Sequence, residues 1–165
     1  MIVLEGLPAL SPFRRERLET RLQALSSGVR VTGAWHAYWI DTETGAEPDR
    51  VALRRILQAD EASHPLDAGA QSRFVLPRLG TISPWASKAT ELLRGAGLPI
   101  KRVERGLRID VAGWPAPDDS AQSAAMQDDL SRALSKLLHD PMTQSLLADR
   151  DAACALFAPP ARGAL

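Results

Sequence analysis

Residues 74–90 read FVLPRLGTISPWASKAT, and this stretch decides the fold. It opens with three apolar residues suited to a buried strand, passes Gly80, and reaches Ser83-Pro84. A serine side chain can accept hydrogen bonds from the first unpaired N–H groups of a helix, and proline at the first helical position has no N–H to lose. The stretch therefore predicts a strand, a turn and a helix, in that order.

The same order of features occurs 72 residues earlier, where residues 2–18 read IVLEGLPALSPFRRERL. Without a gap, Ser11-Pro12 falls on Ser83-Pro84, and residues 31–39 fall on 103–111, two segments in which apolar and polar residues alternate as in strands. Independent use of the same helix start is the alternative to a true duplication. We expect an α+β fold: a two-layer sandwich of two β-α-β-α halves, about 1–60 and 73–140, with a mainly antiparallel sheet and helices on one face.

Apolar residues at helical spacing predict the buried side of each helix. The predicted buried residues are Leu18, Leu22 and Leu25; Val51, Leu53, Ile56 and Leu57; Trp85, Ala89, Leu92 and Ala96; and Met126, Leu130, Leu134, Leu137 and Leu138. The last of these helices is predicted to begin between Asp118 and Ser120 and to be split at Pro141, with Asp140 capping a new turn. Residues 1–150 then form the domain, and residues 151–165 begin a linker because a proline-rich segment follows.

Composition limits the functions that this chain can have. Twenty basic and twenty acidic residues cancel, so no general attraction to nucleic acid or to an anionic membrane is expected. The start of the chain lacks the features of a signal peptide, and no apolar run approaches the roughly 18 residues of a membrane span, which predicts a cytoplasmic protein.

The composition also argues against metal and thiol chemistry. A metal site would have to combine Cys154 with His36, His64 and His139, which are far apart in the sequence, so none is predicted. Cys154 lies in an apolar segment, which predicts a helix and a packing role and not a catalytic nucleophile. His139 is either paired with Asp140 or caps a helix end.

Three segments resemble those of a known family. Residues 77–90, PRLGTISPWASKAT, are similar to the signature of the amino-terminal domain of single-chain phosphoribosylformylglycinamidine synthases. Val103-Glu104-Arg105-Gly106 and residues 139–143, HDPMT, resemble the family segments that follow, although Pro141 stands where arginine is common. The resemblance extends over nearly the whole chain, in the same order.

The resemblance implies a role within a large enzyme. Members of the family use ATP and glutamine to convert formylglycinamide ribonucleotide to formylglycinamidine ribonucleotide in purine biosynthesis. The ATP and Mg²⁺ sites belong to a synthetase region and glutamine hydrolysis to a glutaminase region, neither of which corresponds to this segment. We therefore expect no catalytic residue and no cofactor in this chain, no activity by itself, and the synthetase and glutaminase regions of the same enzyme as its partners.

The signature also supplies candidate interface residues. Capping and core packing account for Ser83 and Trp85, but they leave several polar side chains of the signature unexplained. A second polar cluster follows near Glu104, for which a solvated strand edge is the alternative. The candidate interface residues are Arg78, Thr81, Ser83, Trp85, Ser87, Lys88, Thr90, Arg102, Glu104 and Arg105.

Two other functions stay open at this point. The groove expected between two similar halves suits a stand-alone regulatory domain that binds a small molecule. An independent enzyme would have to use Glu104, Arg105 and His36, and no spacing places an acid and a base together. Residues 80–88 lack the second glycine of a phosphate-binding loop, so independent nucleotide binding is not expected.

Overall fold

The structure, a computed structural model, describes residues 1–115 and 121–157. Its elements in chain order are β1 (Ile2–Pro8), α1 (Pro12–Gln23), β2 (Arg30–Thr42), α2 (Arg50–Leu57), β3 (Ala70–Pro77), α3 (Pro84–Gly95), β4 (Ile100–Ala112), α4 (Ala121–Leu138), β5 (Gln144–Leu147) and a 3₁₀ helix (Arg150–Phe157). The predicted α+β class is confirmed. The predicted start of α4, between Asp118 and Ser120, lies outside the described residues.

The five strands form one sheet in the order β1-β2-β4-β3-β5, in which every neighbouring pair is antiparallel. The two long strands β2 and β4 lie at its centre and pair from Arg30 opposite Ala112 to Thr42 opposite Ile100. Each half contributes a β-α-β-α unit, so the halves meet at the β2–β4 pair. No helix among the described residues is long and apolar enough to cross a membrane.

One face of the sheet carries all four helices, in two pairs. Leu53 of α2 and Leu93 of α3 pack on Leu4, Ile40 and Val103 at one end of that face. At the other end, the side chains of α1 and α4 pack on a second apolar cluster, formed by Leu22, Val29, Val31, Ala34, Val75, Ile109, Val111, Leu134 and Leu138. The predicted single helical layer is therefore confirmed, with a division between α2–α3 and α1–α4.

The opposite face of the sheet is covered by shorter segments. Trp39, Phe74 and Leu76 form an apolar cluster there, and Ala153 of the 3₁₀ helix packs against it without exposed surface. The indole N–H of Trp39 donates to the carbonyl oxygen of Arg150, at 3.0 Å. The folded domain therefore includes residues 151–157, where a linker was expected, and the remaining linker residues lie outside the described part.

Cys154 corrects another prediction. It lies in the 3₁₀ helix, as an apolar segment suggested, but its side chain is exposed while its neighbour Ala153 is buried. The predicted packing role of Cys154 is wrong, because the short helix presents Ala153 and Phe157 to the sheet instead.

The 72-residue correspondence holds for the helix starts and shifts in the strands. Ser11 and Ser83 both cap a helix that begins with proline, as predicted. In the strands, Leu4 packs under the helices whereas Leu76, its counterpart at this offset, packs on the opposite face. Successive strand residues alternate between faces, so the strands correspond only at an odd offset. Trp35, Ala37 and Trp39 consequently lie on the face without the four helices, whereas Val31, beyond a bulge in β2, packs with α1 and α4.

Several predicted helix stripes turn out wider than the buried face. The predicted core residues that are exposed are Leu25, Val51, Ile56, Leu92, Ala96 and Met126. On α3 the fully buried positions are Ala86 and Leu93, one residue away from the predicted Trp85–Leu92 stripe. Exposed apolar residues at helical spacing cannot be separated from core ones by periodicity, because the facing element decides which side is covered.

The chain after α4 forms a strand where a continued helix was expected. His139 Nδ1 lies 2.6 Å from the carbonyl oxygen of Ser135, so the helix-end cap is confirmed. Asp140 accepts a hydrogen bond from the N–H of Met142, which makes the predicted turn at Pro141, but the chain then enters β5. Proline ends the helix because it cannot donate the next helical hydrogen bond.

A buried ionic network joins the sheet to the segment between α2 and β3. Arg108 lies between Glu5 and Asp110, with N···O distances of 2.7 and 2.8 Å, and all three are at most 4% exposed. Arg108 also donates to the carbonyl oxygen of His64, whose ring stacks on Trp35 at 4.5 Å. Burial alone would lower the pKa of Arg108, but its hydrogen bonds and the negative charges of Asp110 and Glu5 outweigh burial and raise it.

Candidate docking groove

The division between the two helix pairs leaves a groove over the centre of the sheet. Its central cavity has a volume of about 720 Å³. Val75, Leu107, His36 and Arg105, which face the helix side of β2, β3 and β4, line this cavity. The two helix pairs therefore border a cleft whose floor combines apolar and basic side chains.

The signature residues before α3 form one wall of the cavity. Arg78 donates its backbone N–H to Thr143, at 2.9 Å, which ties the loop to the turn before β5. The hydroxyl of Thr81 donates to the carbonyl oxygen of Arg78, at 2.6 Å. Gly80 has a φ of +84°, a conformation that L side chains rarely adopt, so glycine is needed at this turn. These contacts leave the Arg78 side chain exposed at the cavity.

Ser83 has two hydrogen bonds at the start of α3. Its hydroxyl oxygen accepts the N–H of Ala86, at 3.1 Å, and its hydroxyl proton goes to Glu104, at 2.6 Å. Glu104 is fully buried and is also bound by Arg102, at 3.1 Å. The alternative of a solvated strand edge is therefore wrong for Glu104, which instead joins β4 to the helix start.

Trp85 and Arg105 separate the central cavity from a second one. The guanidinium carbon of Arg105 lies 4.9 Å from the centre of the Trp85 ring, which is half-buried against Tyr38. The second cavity has a volume of about 510 Å³, and Trp85, Arg105 and Lys88 are among its lining residues. A cation over an indole face gains electrostatic attraction from the ring, so Arg105 is held between the two cavities.

The ten candidate residues do not form one surface. Residues at the central cavity are Arg78, Thr81, Ser83 and Arg105, and Trp85 and Lys88 line the second cavity. The hydroxyl of Thr90 accepts the backbone N–H of Val103, at 3.2 Å, so this residue supports β4. Ser87 is exposed and lines neither cavity, while Arg102 and Glu104 extend toward the opposite side of the sheet. The docking role of these residues stays a prediction.

His36 lies at the centre of the groove floor. Its Nδ1 is buried and has no hydrogen-bond partner among the described residues. Burial lowers the pKa of His36, and the positive charge of Arg105 lowers it further. Glu104 pairs with Trp39 in the β2–β4 ladder and so faces away from His36. Glu104, Arg105 and His36 are therefore not assembled as a catalytic group.

Three arginines of α1 extend the groove and were not predicted from the sequence. Arg14, Arg17 and Arg21 line a third cavity of about 570 Å³, which shares Leu107 with the central cavity. Their spacing of three and four residues, which places them along one side of a helix, was the available signal. Within the described ranges, no three His, Cys, Asp or Glu side chains come together as a possible metal site.

Fold and groove together define a class of protein: an α+β domain with an antiparallel sheet and a groove that several arginines line. Residues 35–157, well over half of the chain, match the family described as formylglycinamide ribonucleotide amidotransferase N-terminal. The chain belongs to this family, the amino-terminal domain of phosphoribosylformylglycinamidine synthase, as its signature segments suggested.

Proposed function

We propose that this chain is a structural and interface domain of phosphoribosylformylglycinamidine synthase. The enzyme would make formylglycinamidine ribonucleotide from formylglycinamide ribonucleotide, ATP and glutamine. Its ATP, Mg²⁺ and glutaminase sites would lie in regions outside this chain, which would be inactive by itself. Family membership supports the enzyme class, and the groove supports a role in contact with other regions.

One observation carries the proposal: four candidate residues, Arg78, Thr81, Ser83 and Arg105, converge on a single cavity. Two of them, Arg78 and Arg105, are exposed cations that form no ion pair with a carboxylate of the described residues, and Arg105 lies over the Trp85 ring. The acid–base group considered from the sequence is not assembled there, because Glu104 faces away from His36. A surface that gathers polar groups without a catalytic arrangement is suited to binding a neighbour.

The test is reconstitution from separate parts. The purified chain and a polypeptide that comprises the synthetase and glutaminase regions are mixed, and amidine formation with glutamine and ATP is measured. We expect no activity from the chain, restored activity from the mixture, and weaker association when Arg78 and Arg105 are both replaced by alanine. Arg15 and Arg55, exposed arginines outside the cavities, give the matched control when replaced together.

A second candidate function is supported by the size of the central cavity. A volume of about 720 Å³ lies within the range of small-molecule sites, so a stand-alone regulatory domain is the competing proposal. Calorimetry with ATP plus Mg²⁺ and with purine nucleotides separates the two. A saturable signal from the chain without any partner would favour the regulator, and no signal together with successful reconstitution would favour the interface domain.

Localisation is part of the proposal. We expect the domain to work in the cytoplasm, with no nucleic acid and no membrane among its partners. Fractionation of cells that express the natural protein checks this, and recovery with the membrane fraction would contradict it.

A further inference from the structure

Charge is distributed unevenly over the groove. The central cavity shares Arg105 with the second cavity and Leu107 with the third, so the three form one continuous groove. Its cationic residues are Arg14, Arg17, Arg21, Arg78, Lys88 and Arg105. No described Asp or Glu lines any of the three cavities, and Glu91 lines a further cavity that shares Lys88 and Leu92 with the second one. Because the whole chain has a net charge of zero, this imbalance is local to the groove.

The six cations have no carboxylate within 4.0 Å in the part of the chain that the structure describes, and all six are exposed. Some arginines elsewhere are paired, Arg50 with Glu47 and Glu61 and Arg108 with Glu5 and Asp110. Others, such as Arg15 and Arg55, form no ion pair with a described carboxylate either, so the six groove cations are distinguished by their clustering. Clustered like charges repel one another, which costs free energy in the isolated domain. An anion bound in the groove would remove that repulsion.

The spacing of the cations indicates the length of the anion. Arg14 and Arg21 are seven residues apart on α1, which places them about 10 Å apart along the helix axis. Arg78, Arg105 and Lys88 continue the series across the central and second cavities. A single phosphate or carboxylate group can contact only two or three such side chains. An extended anion with several charges fits the series better.

The groove is also partly apolar. Val75 and Leu107 form part of its floor, and Ile82 and Met142, which are 63% and 77% exposed, lie at its edge. Leu92 adds an exposed apolar side chain at the second cavity. A polypeptide that carries both carboxylates and apolar side chains can satisfy these two kinds of surface, whereas a sugar-phosphate backbone offers no apolar side chains.

We propose that the groove binds an extended acidic and apolar polypeptide segment from the remainder of the enzyme. This inference rests on the proposed interface function and names the chemistry of the partner. Carboxylates of the segment would lie between α1 and the signature loop, within reach of the guanidinium groups. Its apolar side chains would cover Ile82, Leu107 and Met142.

The first test measures binding of a labelled probe by fluorescence anisotropy. The probe is a fluorescein-labelled peptide that alternates glutamate with leucine or glycine, with about 12 residues and a fully extended length of about 40 Å. A peptide with lysine in place of glutamate and an oligodeoxythymidine of about 12 nucleotides are the comparison probes. We expect saturable binding of the acidic peptide, at least about tenfold weaker in about 0.5 M than in about 0.05 M salt because salt screens exposed charges.

Groove variants locate the binding. Replacing Arg14, Arg17 and Arg21 together with glutamine is expected to weaken acidic-peptide binding about tenfold, which corresponds to about 1.4 kcal/mol. The matched control replaces Arg15, Arg30 and Arg55 with glutamine, which are exposed and line none of the three cavities. All six positions are exposed, and far-ultraviolet circular dichroism verifies that both variants are folded. Equal losses in the two variants, no binding at all, or stronger binding of the oligonucleotide would each overturn the inference.

A second measurement separates this inference from the proposed function. Binding of the chain to the synthetase and glutaminase polypeptide is measured with the same two variants. Weaker binding of the α1 variant alone supports the acidic segment. Undiminished binding of that variant, with no dependence on salt, would refute the acidic segment and leave the interface function standing. No association with the remaining polypeptide would refute the interface function itself.

Discussion

Replacement of Arg108 with methionine removes the cation from the buried ionic network that joins the sheet to the segment between α2 and β3. Methionine keeps most of the side-chain volume but leaves Glu5 and Asp110 in the interior, 4% and 1% exposed, without Arg108. Glu5 then retains only Arg150, at 4.0 Å, as a positive partner. The hydrogen bonds lost include one of 2.7 Å to Glu5 and two of 2.8 and 2.9 Å to Asp110. Removing one partner of a buried ion pair costs about 3–5 kcal/mol, because the remaining charge is left uncompensated.

The free energy of unfolding is measured by urea denaturation at neutral pH with tryptophan fluorescence. Trp35 is a suitable reporter since its ring lies 5.0 Å from the Arg108 guanidinium carbon. With a urea dependence of about 2 kcal/mol per molar, a loss of about 4 kcal/mol would lower the midpoint by about 2 M. That is a large fraction of the roughly 5–15 kcal/mol stability of a typical domain.

The control is Arg50 replaced with methionine. Arg50 also contacts two carboxylates, at 3.0 and 2.6 Å, but it is 43% exposed, so water replaces its partners and a much smaller loss is expected. Replacing Glu5 with glutamine and Asp110 with asparagine in the Arg108 variant should recover part of the stability. Equal midpoint shifts for the Arg50 and Arg108 variants would refute the reasoning that burial makes the network expensive to break.

Three further predictions concern the groove. Replacing Ser83 with alanine should reduce the free energy of unfolding by about 2–3 kcal/mol, and the same change at Ser11 by about 1 kcal/mol. Both serines cap a helix, but only Ser83 also donates to the buried carboxylate of Glu104, so equal losses in denaturation would contradict this. Replacing Gly106 with alanine should cost about 1–3 kcal/mol because a Cβ would collide with a carbonyl oxygen of β3, and an unchanged melting curve would show that the strand can move. Folding lowers the pKa of His36, so the unfolded chain takes up a proton first and the free energy of unfolding should fall as the pH decreases through 6.5. Replacing His36 with glutamine should remove this part of the pH dependence, which denaturation at several pH values measures. An unchanged pH dependence would contradict the assignment.

The position of the groove follows from the internal symmetry of the fold. Each half contributes one helix to each pair, α1 and α2 from the first half and α4 and α3 from the second, and the halves meet at β2 and β4. The centre of the helix face is therefore covered from both sides but not closed, which leaves His36 and Arg105 accessible to a cavity. The signature loop reaches this centre because it connects β3 to α3. A partner in the groove would contact both halves together.

Local sequence features predicted the local structure well. The Ser11 and Ser83 caps were recognisable because a serine followed by proline satisfies the needs of a helix start within a few residues. The four helices and the alternation of β2 and β4 were recognisable for the same reason, since periodicity depends on neighbouring residues. The strand β5 was missed because four residues with a short apolar pair do not establish a period.

The composition of the site was only partly predictable. The signature led to Arg78, Ser83 and Arg105, which meet at one cavity, but also to Thr90, whose hydroxyl serves a backbone N–H of β4. Arg102 and Arg105, three residues apart on β4, point to opposite faces of the sheet. The sequence suggested one polar cluster near Glu104, but successive residues of a strand face opposite sides of the sheet, so Arg102 and Arg105 lie on different faces.

By itself, the sequence determined the α+β class, the starts of α1 and α3, the alternation of the strands and the family, because each depends on short-range chemistry or on a contiguous motif. Tertiary structure alone decided which face of each strand meets the helices, that Arg108 is paired with the distant Glu5, and that α1 and the signature loop border one groove. The physical reason is that a strand offers two equivalent faces and a helix several. The choice among them is made by long-range packing, which places residues about a hundred positions apart in contact.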